Sequence, residues 1–105
     1  MKKMFAIALL LLTARTFAVP ADYLLEVETR VHRTPYSVSV FATNPLYETL
    51  DCVIIAHGLT QNNEVITKKS NVAIKVGSYN FANIGAKNGD VFVDAKGEAY
   101  CRFFN

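Results

Sequence analysis

The chain has 105 residues, 51% hydrophobic, 11% aromatic and 19% charged, with 5 Gly and 3 Pro. That composition excludes collagen, a low-complexity tail and a disordered charged arm, and the length argues for one domain. Of the 11 Lys and Arg, three (Lys2, Lys3 and Arg15) precede Ala18, so the remainder is outnumbered by the 9 Asp and Glu. A near-neutral body offers no electrostatic reason to bind nucleic acid or anionic lipid.

Lys2-Lys3 and the apolar run Met4 to Leu12 read as the n-region and h-region of an export signal. A membrane-spanning helix would need about 20 apolar residues. Thr16-Phe17-Ala18 predicts cleavage after Ala18, with Ala21 as the alternative. The expected organisation is a signal peptide over 1–18 and a single domain over 19–105, secreted or periplasmic. No later segment is apolar enough to span a membrane. The chain has no Asn-x-Ser/Thr acceptor, which fits a bacterial periplasm, although a eukaryotic secretory origin stays open. In an oxidising compartment Cys52 and Cys101 are expected to pair. Closing a loop of about 50 residues is worth about 4 kcal/mol in the chain-entropy account. Neither cysteine lies in a C-x-x-C pair, so no metal or reactive thiol is expected.

The dominant period along the chain is two. Tyr23, Leu25, Val27, Thr29 and Val31 alternate with Leu24, Glu26, Glu28, Arg30 and His32, which predicts one half-buried strand. Thr34-Pro35 ends it. Tyr36, Val38, Val40 and Ala42 then alternate with Ser37, Ser39, Phe41 and Thr43 as a second strand, stopped at Asn44-Pro45. Leu50 to Ala56 is apolar on both faces and is expected to be the central, most buried strand, ended by Gly58. Gln61-Asn62-Asn63 is a polar turn. Glu64 to Lys68 and Asn71 to Val76 follow as separate short strands, broken by Gly77-Ser78. Tyr79 to Ile84 is a weak strand or a loop. Asn88-Gly89 predicts a type I′ hairpin turn, and Lys96-Gly97 a second turn before the alternation Ala99, Cys101, Phe103. Seven or eight short strands without an amphipathic helix predict an all-β sandwich, with a small barrel as the alternative. The disulfide would then tie a central strand to the last one across the core and join two sheets.

A bond from an early central strand to a late one resembles immunoglobulin-type sandwiches. The segment Ser39 to Ile66, SVFATNPLYETLDCVIIAHGLTQNNEVI with its leading Ser39-Val40, resembles small secreted FxLyD-type modules. The resemblance implies architecture only. Trp is absent, and Ala99, not Tyr, stands two residues before Cys101, so the antibody core Trp and tyrosine corner are missing.

No catalytic or cofactor motif is present: there is no G-x-S-x-G, H-E-x-x-H or Gly-rich phosphate loop. His57 and Asp51 share a predicted face, but six residues at about 3.3 Å put them about 20 Å apart, too far for a dyad. His57 is read as a strand-end imidazole satisfied by backbone or water, and His32 as solvated. Glu26 and Glu28 form a solubilising strand face, not a glycosidic pair. Binding is the stronger reading. If the cysteine face is the core, Tyr100, Arg102 and Phe104 line the outside of the last strand, and Tyr47 and Tyr79 are further interface candidates. The expected function is a non-enzymatic protein-binding or accessory subunit of an envelope or extracellular assembly. The alternative is an inhibitor of a secreted or envelope hydrolase.

Overall fold

Alternating apolar residues sort the chain into strands, and turn chemistry then decides where each strand stops. In this computed structural model residues 22–104 are described, and all regular structure among them is antiparallel β. The expected signal peptide and both expected cleavage sites lie outside the described residues. The strands are β1 (Leu25–Glu26), β2 (Thr29–Thr34), β3 (Ser37–Thr43), β4 (Leu50–Thr60), β5 (Val65–Ile74), β6 (Tyr79–Gly85) and β7 (Phe92–Phe103). They form a four-stranded sheet ordered β1-β7-β4-β5 and a three-stranded sheet ordered β2-β3-β6. The sheets face each other as a sandwich and do not close into a barrel.

The core lies between them. Leu50, Cys52, Ile54 and Ala56 of β4, with Ala99 and Cys101 of β7, meet Val38, Val40 and Ala42 of β3 and Ala82 and Ile84 of β6. β4 is flanked by β5 and β7 and is the most buried strand, as its two apolar faces predict. Its second face carries Val53 and Ile55, which pack with Tyr23 and Tyr100.

The turns follow side-chain chemistry. Thr34 Oγ1 accepts from the Tyr36 and Ser37 amides and closes the β2–β3 hairpin at Pro35-Tyr36. Asn63, with φ 65°, is the left-handed residue of the four-residue β4–β5 loop over 61–64. Gly77, with φ 71°, makes the turn before β6, and Tyr79 to Ile84 proves to be strand, not loop.

Several expected boundaries are corrected. The first predicted strand divides at Val27-Glu28, so that β1 pairs with β7 in one sheet and β2 with β3 in the other. The predicted breaks at Gly58 and Lys96-Gly97 are continuous strand instead. A Cβ on Gly58 would stand 2.4 Å from Phe92 Cε1, and one on Gly97 would stand 2.5 Å from Val40 Cγ1. These glycines admit a large side chain over the strand, Phe92 of the neighbouring β7 at Gly58 and Val40 of the facing β3 at Gly97; they do not turn the chain. Glu64 to Lys68 and Asn71 to Val76 fuse into one strand, β5, because β4 offers an unbroken ladder from Leu50 to Leu59. Asn88-Gly89 is no hairpin: only Gly89 has positive φ, and the turn leads from β6 in one sheet to β7 in the other.

The disulfide forms as expected, but not across the core. Cys52 and Cys101 are direct register partners on β4 and β7, with Cα atoms 4.0 Å apart. The bond staples neighbours within one sheet, because β7 lies beside β4 and not opposite it.

Two stability effects follow. Cys52→Ala with Cys101→Ala should keep a β-type circular dichroism spectrum but lower unfolding stability by about 2–4 kcal/mol in urea titration. Gly58→Ala and Gly97→Ala should each cost about 1–3 kcal/mol by overpacking, read from the same titration.

Candidate functional site

The outer faces of the two sheets differ in character. On the four-stranded sheet the outward side chains of β4, β5 and β7 bond to one another. His57 is fully buried. Its Nε2 lies 2.8 Å from Glu98 Oε2, and its Nδ1 lies 2.9 Å from Thr67 Oγ1. The Tyr100 hydroxyl donates to the other Glu98 oxygen at 2.6 Å. With Glu98 as carboxylate acceptor, the imidazole Nε2–H donates to Glu98, and in the matching tautomer Nδ1 accepts a hydrogen bond from the Thr67 hydroxyl. At the far end Asp51 Oδ2 accepts from the Tyr23 hydroxyl and from Arg102 Nε, both at 2.8 Å. Arg102 also pairs with Asp22 and stacks 4.6 Å above the Tyr23 ring.

The order hydroxyl, imidazole, carboxylate matches an acyl-transfer triad. Chemistry of that kind also needs amide donors aimed at a developing oxyanion. β4 spends its backbone on ladders to both neighbours, and His57 lies beneath the surface. The network satisfies buried polar atoms: among the described residues no buried side-chain nitrogen or oxygen lacks a partner. Asp51 and His57 belong to its two separate ends and do not meet.

The outer face of the three-stranded sheet is open. β2–β3–β6 register places Arg30 beside Phe41, and Phe41 beside Phe81. Phe41 packs edge-on against Tyr79 at 5.9 Å between ring centres and tilted against Phe81 at 5.6 Å. These rings do not sink into the core, because the inward positions of β3 and β6 already hold Val38, Val40, Ala42, Ala82 and Ile84. Tyr79 is 61% exposed and Phe81 48%. An open groove of about 580 Å³ runs along this face, lined by Arg30, Val31, His32, Phe41, Thr43 and Tyr79. Among the described residues Arg30 has no ion-pair partner.

The five residues singled out in the sequence therefore separate. Tyr79 joins the open aromatic face. Tyr100 and Arg102 do lie on the outside of β7, but each is half-buried and bonded within the other sheet. Phe104 follows β7 and is exposed. Tyr47 stands alone, 95% exposed, on the loop between β3 and β4. That loop is held from beneath by the buried Asn44, whose amide donates to Glu48 O and Ile74 O and whose Oδ1 accepts from the Leu46 amide. Glu26 and Glu28 are exposed, on either side of the crossing between sheets. Arg30, His32 and Phe41 are added to the candidates by register alone, and Phe81 belongs to the Tyr79-Asn80-Phe81 segment that the sequence already offers. Glu98, the partner of His57, is 41 residues away and gives no local signal.

Comparison with protein-family models, curated proteins and solved structures gives no match.

The hydrogen bond to Glu98, burial, and the charges of Glu98 and Glu26 raise the Tyr100 pKa above its ordinary value of 10.0. A phenol with a raised folded pKa contributes stability that is complete below its unfolded pKa and lost as pH climbs toward the folded one. Stability should therefore fall above about pH 10. In Tyr100→Phe that part of the alkaline decline should vanish. Glu98→Gln should lower the Tyr100 pKa, read by phenolate absorbance.

Proposed function

We propose that the protein is an exported, non-enzymatic binding module that acts as an accessory subunit of an envelope or extracellular assembly. The open face of β2-β3-β6 is the surface that engages its partner. The observation that carries this reading is the exposed Phe41–Tyr79–Phe81 cluster beside the unpaired Arg30. Aromatic and Arg side chains are the ones that dominate interface energetics, and an apolar cluster left in water is a cost without a partner to cover it. The cationic Arg30 on the groove wall suits a partner segment that combines an apolar residue with a carboxylate. Export is supported by the disulfide, which persists in oxidising compartments. No helix among the described residues is long and apolar enough to cross a membrane. The FxLyD-type likeness of Ser39 to Ile66 enters this proposal as architecture and assigns no residue a role.

One observation favours the second reading, inhibition of a secreted or envelope hydrolase. Tyr47 projects from a loop pinned by three Asn44 hydrogen bonds, and a pre-ordered projecting side chain loses little entropy on entering a cleft.

The two readings separate experimentally. A photo-crosslinking residue in place of Tyr79 should capture one dominant protein from the exported fraction. The same probe at Tyr47 should capture it weakly. Phe41→Ser and Arg30→Glu should each weaken that partner's affinity by about tenfold or more. Capture of a soluble hydrolase through position 47, insensitive to both variants, would replace the first reading with the second.

A further inference from the structure

The sandwich has four edge strands, and three of them carry some protection against pairing with another chain. β1 is only two residues long. β2 carries Arg30, His32 and Arg33. β5 carries Lys68 and Lys69, and Lys68 lies on the core-facing side of its strand, across from Ala56. Short edges, lysines and inward-facing charges are the ordinary means by which a sheet avoids adding strands. β6, the sequence Tyr79-Asn80-Phe81-Ala82-Asn83-Ile84-Gly85, has seven residues and none of these devices.

Its free side can be identified from hydrogen bonds. The Ala86 amide donates to Tyr36 O, toward the β3 hairpin, so even-numbered positions point inward along the sheet. The Phe81 amide is met instead by its neighbour's side chain, Asn80 Oδ1. Phe81, Asn83 and Gly85 thus direct their backbone groups to the open edge, and all three residues are exposed.

Gly85 is the second observation. Its φ is not positive, and a Cβ there would meet only Tyr36 O, at 3.9 Å. Nothing among the described residues requires glycine at this place. At Gly58 and Gly97, by contrast, the space is filled by a side chain, from the neighbouring β7 and from the facing β3 respectively. A strand glycine without an internal cause marks a place where something else comes close.

We propose that β6 pairs antiparallel with β6 of a second copy of this chain, about a two-fold axis through Asn83. In that register Asn83 opposes Asn83, and Phe81 opposes Gly85 of the other copy. The ring lies across the position that has no side chain, and an aromatic over an edge glycine is a recognised cross-strand pair. The contact is isologous, so the Phe81–Gly85 pair occurs twice and the Asn83 pair once, on the axis. No charge opposes a charge along β6. The cationic β2 strands end up at opposite rims of a six-stranded sheet, five strand spacings apart, about 24 Å, beyond the screening length. The Phe41–Tyr79–Phe81 clusters of both copies become one continuous apolar face. This pairing stands independently of the partner groove, since Asn83 and Gly85 do not line it.

The test is sedimentation equilibrium of the oxidised mature chain over a concentration series, with Asn83→Lys, Asn83→Asp and their mixture. The wild type should show a reversible dimer. Each single variant should weaken it at least about tenfold while keeping the wild-type circular dichroism and, at dilutions where both are monomeric, the wild-type urea midpoint. Mixing Asn83→Lys with Asn83→Asp should restore a one-to-one heterodimer. Gly85→Ala should leave the monomer's urea midpoint in place and weaken the dimer. A wild type that stays monomeric, a dimer indifferent to Asn83→Lys, or a mixture that fails to associate would each overturn the proposal.

Discussion

The molecule is organised around the need to bury β4 on both of its faces. From Cys52 to Thr60 every residue is buried, with ladders to β5 on one side and β7 on the other. One face is covered by the three-stranded sheet. Among the described residues no third layer covers the other. Side chains take that place: Tyr23 and Tyr100 lie over Val53 and Ile55, and Arg102 lies over Tyr23. Their polar ends must then be satisfied at the surface of a thin cover, which is why Thr67, His57, Glu98 and Tyr100 are bonded in one series and Tyr23, Asp51 and Arg102 in another. The polar network is thus a consequence of how β4 is buried.

This asymmetry also explains which face keeps its aromatics open. The four-stranded sheet uses its outward aromatics and its arginine internally, so those groups are committed to the fold. The three-stranded sheet has a complete inner face made of small and branched residues, and its aromatics are left outside. Two sequences with the same alternation therefore have opposite fates. Tyr100 and Arg102 stabilise the protein, whereas Phe41, Tyr79 and Phe81 remain available.

The period of two and the turn residues made much of the fold legible from sequence: β3, the double-faced β4, the Gln61-Asn62-Asn63 turn, the break at Gly77 and the two-layer class. What could not be read was strand order, and most errors trace to it. A glycine that admits a neighbour's side chain looks the same in sequence as one that bends the chain, so Gly58 and Gly97 were expected to end strands. The pairing of Cys52 with Cys101 followed from their number, but whether it joins sheets or neighbours depends on where β7 sits. The candidate face was half legible. Tyr79 could be named from its aromatic character, while Arg30 and Phe41 join it only through the β2–β3–β6 register. His57 drew notice as a strand-end residue; its partner Glu98 belongs to a strand whose alignment no spacing rule supplies.

The position of the sulfur bridge has a mechanical consequence. β1 runs beside the end of β7, with Leu25 opposite Cys101, so the two ends of the described fold leave from the same margin of one sheet. Tension applied between those ends unzips the short β1 pairing first. On the β7 side it then reaches Cys101, which is locked to Cys52. The hairpin of β4 and β5, the whole of β6 and most of β7 lie within that covalent ring. However hard the molecule is stretched, they cannot be drawn out as extended chain while the bridge stays closed.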